Sequence, residues 1–575
     1  MSAEDGDQSS RTVIGISFGN SYSSIAYTVD EKAEVIANEE GDRQIPTIIS
    51  YSAGEEFQGT QAKAQIVRNP RNVIAYFRDF LGKGFKDVDP TACHASAHPV
   101  EMDGGKSVGF TVQEKEEGDK TTLSVSEVAT RHLRRLKQSA SDYLGKEVTA
   151  AVITIPSDFA DSQKTALTSA AKEAGIEVLQ FIAEPISSLL AHDAKQQLAE
   201  GVSGAPKDKT LVVADLGGTR SDISVIASRG GIYTTLATVH DYELGGTSLT
   251  NVLIEYAAKE FLKKNKSAAD PRQNEKSLAK LTLEAENVKK ALSLGQTGAF
   301  SIESLVDGLD FSLTVNRTRY ELLAGKVFAS FGRAIENAVK KADLDVLDID
   351  TILLAGGTSH TPKISSTLSA IFPESTAIMA PATSAAAVNP SELASRGAAI
   401  QASLISEFER SDIEGSTEAV VTVTPHLQKA LGLATGKNGE QFSLIVDAET
   451  PVPVRRTAQV AVAEGGDVLF KLAEGVRDIK VTKEEKPQTN GAKDDEDEDD
   501  DDSDDEPEEI REKVWKAGNV LAEAGIKGVK KGGKVEIQVN VNTDLSVTVV
   551  AREVGGKGGV RGELQAAKVQ QNGSA

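Results

Sequence analysis

The stretch Leu211-Val212-Val213-Ala214-Asp215-Leu216-Gly217-Gly218-Thr219-Arg220-Ser221-Asp222 is an aliphatic run that stops on an acid and a glycine pair. An unbroken Val, Leu and Ala run predicts a strand covered on both faces, and the glycines predict a tight turn at its end. Thr12–Gly19, Thr149–Pro156 and Ile352–Gly357 repeat the plan, each a short apolar run ending at Gly or Pro. Helical segments such as Asp161–Ala174 and Leu278–Leu294 lie between them. Alternating strands and helices predict an α/β fold. The first glycine turn and the Asp215 turn lie about 200 residues apart, so the region reads as two similar halves. Glycine turns facing each other across a cleft would hold a nucleotide between two lobes.

The chain has 575 residues, enough for three or four units at about 100–200 residues each. Aromatic residues are only 5% against 39% apolar, so the cores should be aliphatic. The net charge is −23, but Asp494–Glu509 alone holds 14 acidic residues and no basic one. The rest carries −9, the −23 less those 14, which gives no bulk attraction for nucleic acid, and no direct nucleic-acid partner is expected. One cysteine, Cys93, excludes an internal disulfide framework and fits a reducing cytosol. His94 and His98 stand beside it, but between Pro90 and Pro99 they do not form a metal-ligand pattern. Met1–Ser10 has neither the basic nor the apolar part of a secretory signal, and no apolar run of about 18 residues suggests a membrane partner.

The expected organisation is a flexible N-terminus at 1–10, a nucleotide-binding domain at 11–408 and a polar linker at 409–419. A small β domain at 420–553 follows, with an acidic, self-repelling insertion at 484–509 that should be disordered, and a flexible tail at 554–575. Short strand-like runs, Ala419–Thr424, Phe442–Val446, Gln459–Ala463 and Asp467–Leu472, carry the β prediction, and Val535–Val550 alternates like a hairpin. Ile510–Leu521, with the only tryptophan, Trp515, is expected to be a short helix.

Four glycine turns carry candidate phosphate-binding chemistry. The first is Gly15-Ile16-Ser17-Phe18-Gly19-Asn20-Ser21-Tyr22-Ser23 and the second is the Asp215 turn. Leu244-Gly245-Gly246-Thr247 and Ala355-Gly356-Gly357-Thr358 complete the set. Glycines let backbone N–H groups approach an anion closely. One such turn is an ordinary β-turn as readily as a phosphate loop; four after apolar runs are far more specific.

With these turns in this order the chain resembles the seventy-kilodalton heat-shock chaperones, of the actin and sugar-kinase superfamily. The likeness continues through Ala62-Lys63-Ala64-Gln65, Asp161-Ser162-Gln163-Lys164, Ala183-Glu184-Pro185, Asp310-Phe311, Asn316-Arg317-Thr318-Arg319 and Arg396-Gly397-Ala398-Ala399, and covers nearly all of residues 12–405. It implies an actin-like two-lobed ATPase domain followed by a β-sandwich, with ATP as the ligand.

The resemblance assigns nucleotide contacts to Gly19, Asn20, Ser21, Tyr22, Gly217, Gly218, Thr219, Arg220, Gly245, Gly246 and Thr247. On the adenosine side it assigns Glu286, Lys289, Lys290 and Ser293, then Gly356, Gly357, Thr358, His360 and Ser391. Several depart from the family pattern. Ser17 stands for an aspartate near Mg²⁺, Asn20 and Ser21 for threonines, Thr219 for a third glycine and Arg220 for a phosphate-facing threonine. Thr247 and Ser391 stand for acids, and His360 for an arginine. Lys63, Glu184, Asp215 and Asp222 survive as vestigial catalytic candidates, so the resemblance implies ATP binding with little or no hydrolysis, and a metal site that is absent or a weak Mg²⁺ site near Asp215. A serine cannot replace a carboxylate in the ion's hydration shell. Arg220 places a fixed charge where a hydroxyl would sit, either against phosphate or turned to solvent.

In the family a helical lid follows the β domain. Here a lidless β domain is expected, because only a short tail follows Val550, and the linker keeps only Ile413 as a large apolar residue. These departures together resemble an atypical fungal branch of the family. That branch implies a cytoplasmic, ribosome-associated scaffold paired with a zuotin-like J-protein and assisting a second, active heat-shock chaperone, with nascent polypeptide as a further contact. The rivals are an ATP-hydrolysing chaperone cycling on unfolded peptides and a sugar-kinase-like enzyme. The acidic run reads as a solubilising loop or as a contact for basic ribosomal or J-protein segments.

Overall fold

The computed structural model describes residues 11–30, 32–93, 96–116, 119–200, 208–406, 408, 412–413, 426–427, 429–435, 441–483, 509–556 and 559–564. These fall into two compact units, residues up to 228 with 235–421, and 229–234 with 422 onward. The expected flexible N-terminus, nearly all of the linker, the Ala419–Thr424 strand, and the acidic insertion save Glu509 lie outside the described residues.

The first unit holds two sheets of one topology. In the first lobe Val13–Phe18 runs antiparallel to Tyr22–Val29 and parallel to Ala150–Ile155, which pairs in turn with Glu177–Ala183. In the second lobe Lys209–Leu216 runs antiparallel to Ser221–Arg229 and parallel to Thr351–Ala355, which pairs with Ala377–Met379. The central strands are buried on both faces, as their unbroken aliphatic sequence requires. Each turns back in a hairpin, which leaves residues 19–21 and 217–220 at the sheet edge as short loops.

Helices cover the sheets. In the first lobe Ile14, Ile16 and Phe18 pack with Leu133 and Leu136 of Val125–Leu144 and with Leu167 of Asp161–Glu173. On the other face Val13, Ala150 and Val152 meet Ala398, Ala402 and Ile405 of Leu393–Ile405. In the second lobe Val212, Ala214 and Leu216 pack with Leu249 and Leu253 of Gly246–Lys264 and Val288 of Glu275–Leu294. Each buried Val, Ile, Leu or Phe side chain contributes about 1.5–3 kcal/mol. Ser124 and Asn274 cap their helices by accepting from Glu127 N and from Lys276 and Ser277 N.

The second unit contains two four-stranded antiparallel sheets. One orders Gln441–Val446, Leu431–Thr435, Gly466–Lys483 and Glu509–Val529; the other Val454–Val462, Gly533–Val541, Val547–Glu553 and Gly559–Leu564. Alternate residues Val535, Ile537, Val539 and Val541 face a core with Leu431, Leu433, Phe470 and Leu472. Two expectations are corrected. Ile510–Leu521 is strand, within Glu509–Val529, because pairing with Gly466–Lys483 along nearly its whole length overrides the helical preference of its Glu, Lys and Ala residues. The tail expected to be flexible from 554 contributes Gly559–Leu564, which takes the free edge of Val547–Glu553.

A close approach in the first lobe is set by one glycine. Gly397 of Leu393–Ile405 lies against Glu184–Glu200, where a Cβ would stand 1.8 Å from the Ser187 carbonyl oxygen. Gly397→Ala is therefore expected to force the two helices apart and lower stability by about 1–3 kcal/mol or more, measured by calorimetric or denaturant unfolding.

Candidate nucleotide-binding site

The hairpin loops of the two lobes meet. Asn20 Nδ2 donates to Thr219 Oγ1 at 3.2 Å, and a Cβ on Gly218 would stand 2.3 Å from Ser21 Oγ. The third glycine turn is laced to the second. Gly246 N donates to Gly217 O at 2.9 Å, Thr247 N to Gly218 O at 2.8 Å, and the Thr247 hydroxyl to the same oxygen at 2.6 Å. The fourth turn brings Gly356, at a φ of 78°, against Asp215, and Thr358 Oγ1 donates to Gly217 O at 2.8 Å. All four predicted turns therefore converge.

The residues expected on the adenosine side include a charged wall. Glu286 accepts from Tyr22 Oη at 2.6 Å and Lys63 Nζ at 2.7 Å, and lies 2.9 Å from Lys290 Nζ. Lys63 also donates to Tyr22 Oη at 2.7 Å. Burial alone would raise the Glu286 carboxyl; Lys63, Lys290 and Lys289 outweigh it and hold that carboxyl well below the usual range. Burial pulls Lys289 down to about 8, and its ammonium donates to Gly246 O and Thr250 Oγ1, each at 2.8 Å. Ser293 donates within its helix to Lys289 O at 3.1 Å. His360 Nε2 lies 3.1 Å from both Asn389 Oδ1 and Ser391 Oγ, and burial lowers its pKa. Gly357 lies beside Ser391, where a Cβ would stand 3.7 Å from the serine hydroxyl.

The surviving catalytic candidates hold internal partners. Lys63 reaches across to Glu286 and Tyr22. Glu184 is buried against Arg78, 3.2 Å away, and Arg78 also holds Asp79 at 2.6 Å. Burial raises the Glu184 carboxyl against the pull of Arg78, and burial with the neighbouring Asp222 raises Asp215. Arg220 does not face solvent, and its Nη2 is taken up by protein carboxylates. It is buried, with Nη2 2.7 Å from Asp158 Oδ1 and 2.5 Å from Asp222 Oδ1, and its guanidinium lies 4.7 Å over the Tyr242 ring.

The sequence offered no motif for Arg78, Asp158, His240 or Tyr242. Asp158 follows the strand-ending Pro156, and only the fold brings it to the second lobe. The oxygens of Asp158 and Asp222 and a ring nitrogen of His240 lie within 4.8 Å of one another, a spacing that suits a metal ion. The donor set does not fit one, because the Arg220 guanidinium already sits among those oxygens. Ser17, on the first strand, supplies no carboxylate.

Two lobes of matched topology closing on four glycine turns define an actin-like nucleotide-binding cleft. The Hsp70 protein family model matches residues 13–484. The ribosome-associated complex subunit SSZ1 of Saccharomyces cerevisiae is 45% identical over 557 residues, 96% of this chain and 100% of that protein. A heat shock protein 70 homolog of Schizosaccharomyces pombe is 42% identical over 556 residues, 96% and 95% of the two chains. A ribosome-associated molecular chaperone of S. cerevisiae is 31% identical over 468 residues, 81% of this chain and 72% of its own. The chain belongs to the Hsp70 family.

The Glu286 wall has a pH signature. A carboxyl depressed in the folded state binds fewer protons there than in the unfolded chain, so its stabilisation is present above about pH 5 and is lost as pH falls toward the folded pKa. Glu286→Gln is expected to unfold about 2–3 kcal/mol more easily at pH 7, because it leaves the Lys63 charge without its partner. The gap between the two proteins should narrow by about pH 3 in urea melts.

Proposed function

We propose that this protein is an ATP-binding, hydrolysis-deficient chaperone subunit. It forms a stable complex with a zuotin-like J-protein on cytoplasmic ribosomes and assists a second, active heat-shock chaperone in folding nascent chains. The observation that carries the first half is the pairing of the hydrolytic groups. In phosphoryl transfer the lysine, the water-orienting acid and the metal must all address the γ-phosphate. Here Lys63 is held by Glu286, Glu184 by Arg78, and Asp222 by Arg220. The glycine turns and the basic wall of Lys63, Lys289 and Lys290 remain suited to an anion. Binding of ATP with weak dependence on Mg²⁺ follows from the same set.

The relation to a ribosome-associated complex subunit along 96% of the chain supports the second half. The β unit adds a physical reason. Its outer strands, Gln441–Val446 and Glu509–Val529, offer edge backbone to a partner strand, and a permanent partner would cover them. A peptide-cycling chaperone is the second reading, favoured by the presence of Lys63, Glu184, Asp215 and Asp222 together.

Single-turnover phosphate release separates the readings. The rate of the unaltered protein is expected to lie within about twofold of Lys63→Ala, since no interaction made only in the transition state is lost. A rate more than about tenfold above that control would establish the cycling reading. Co-elution with a purified zuotin-like J-protein at physiological salt tests the partnership.

A further inference from the structure

The residues around Arg220 join the two lobes as well as occupying the place of an ion. Asp158 belongs to the first lobe, just beyond the Ala150–Ile155 strand. Arg220, Asp222, His240 and Tyr242 belong to the second, from the glycine loop and the two strands beside it. Both Asp158 oxygens are committed across the gap: Oδ1 accepts from Arg220 Nη2 at 2.7 Å and Oδ2 from Tyr242 Oη at 2.6 Å. Burial works against the Asp158 charge, but Tyr242 and Arg220 outweigh it and hold the carboxyl down to about 2. The Arg220 guanidinium stacks on the ring that donates to the same carboxylate, so Asp158, Arg220 and Tyr242 close a three-sided contact. Arg220 also satisfies Asp222 at 2.5 Å, and His240 Nδ1 lies 2.5 Å from the same Asp222 oxygen.

The chemistry of the guanidinium decides what this cluster does. Arginine stays charged at any working pH, and here its Nη2 donates to both carboxylates at once. A divalent cation entering between Asp158 and Asp222 would have to expel that guanidinium nitrogen and leave a buried charge unpaired. Arg220 thus does permanently what a metal does transiently: it neutralises the acids beside the second phosphate loop. Unlike a metal, it does not leave with the nucleotide.

We propose that Asp158, Arg220 and Tyr242 form an interlobe latch that takes the divalent cation's place, so that nucleotide binds without Mg²⁺ and exchanges slowly. Arg220 is the specificity-determining residue of this device, and Asp158 and Tyr242 are positioning residues. The metal and exchange arms rest on the nucleotide-binding reading above; the latch itself does not.

The test uses the full-length protein and a fluorescent ATP analogue in EDTA and in Mg²⁺, with amide hydrogen exchange of residues 217–221 followed separately without added nucleotide. The unaltered protein should bind with affinities within about threefold in the two buffers, and Arg220→Thr should lose about tenfold or more in EDTA and regain it in Mg²⁺. Asp158→Asn and the milder Tyr242→Phe should release the analogue about tenfold faster and exchange amides at 217–221 faster. Asp161→Asn, the same change at an exposed position on the same segment, should alter neither. An affinity for the unaltered protein that falls about tenfold or more in EDTA, or equal affinities for Arg220→Thr in both buffers, overturns the cation role. Unchanged amide exchange in both Asp158→Asn and Tyr242→Phe overturns the latch. If the unaltered protein binds the analogue in neither buffer, the nucleotide reading and the metal and exchange arms fall together, and the amide exchange still decides the latch.

Discussion

A charge inside a narrow cleft must have a counter-charge, because the walls that bury it also remove the water that would solvate it. That constraint organises the first unit. Two cations, Lys63 and Arg220, reach across between the lobes and a third, Arg78, is buried in the first lobe; each is answered by acids: Glu286, Asp158 with Asp222, and Asp79 with Glu184. Two of these arrangements tie one lobe to the other. In a phosphoryl-transfer site the same kinds of group are left to be completed by nucleotide and metal. Here protein side chains fill those places themselves.

The aliphatic scaffold makes this pairing specific. Two sheets of one topology, each with a doubly buried central strand, aim their hairpin turns at each other. Close packing of Leu393–Ile405, where Gly15 and Gly397 admit the neighbouring backbone, holds the first sheet in place behind its turn. With the turns so placed, Asn20 can reach Thr219, and Lys63 can span to Glu286. Small changes of side chain at the loop tips then exchange contacts to a ligand for contacts between lobes.

The β unit is built on a core of its own. Its core is complete, with Leu431, Leu433, Phe470 and Leu472 of one sheet packed against Val535, Ile537 and Val539 of the other. Its longest hairpin, Gly466–Lys483 with Glu509–Val529, presents exposed Val476, Val481 and Val520.

How much of this was legible in the chain varies with how local the cause is. The strands ending at Gly19, Pro156, Gly218 and Gly357 announced themselves, because a doubly buried strand needs an unbroken aliphatic run and a tight turn needs glycine. The internal repeat followed from their spacing, and the altered loop tips at Ser17, Thr219, Arg220 and Thr247 were visible once the resemblance was drawn. Ile510–Leu521 misled because its Glu, Lys and Ala favour helix locally, while its pairing partner lies across the acidic segment. Arg220 was legible as a charge and not as a bond: its partners Asp158 and Tyr242 are separated from it in sequence by 62 and 22 residues. The sequence by itself therefore determined the two-lobed architecture and the presence of a fixed cation at the second loop. Only the tertiary structure decided that this cation, with Lys63 and Arg78, faces protein carboxylates, because a counter-charge is chosen by distance in space.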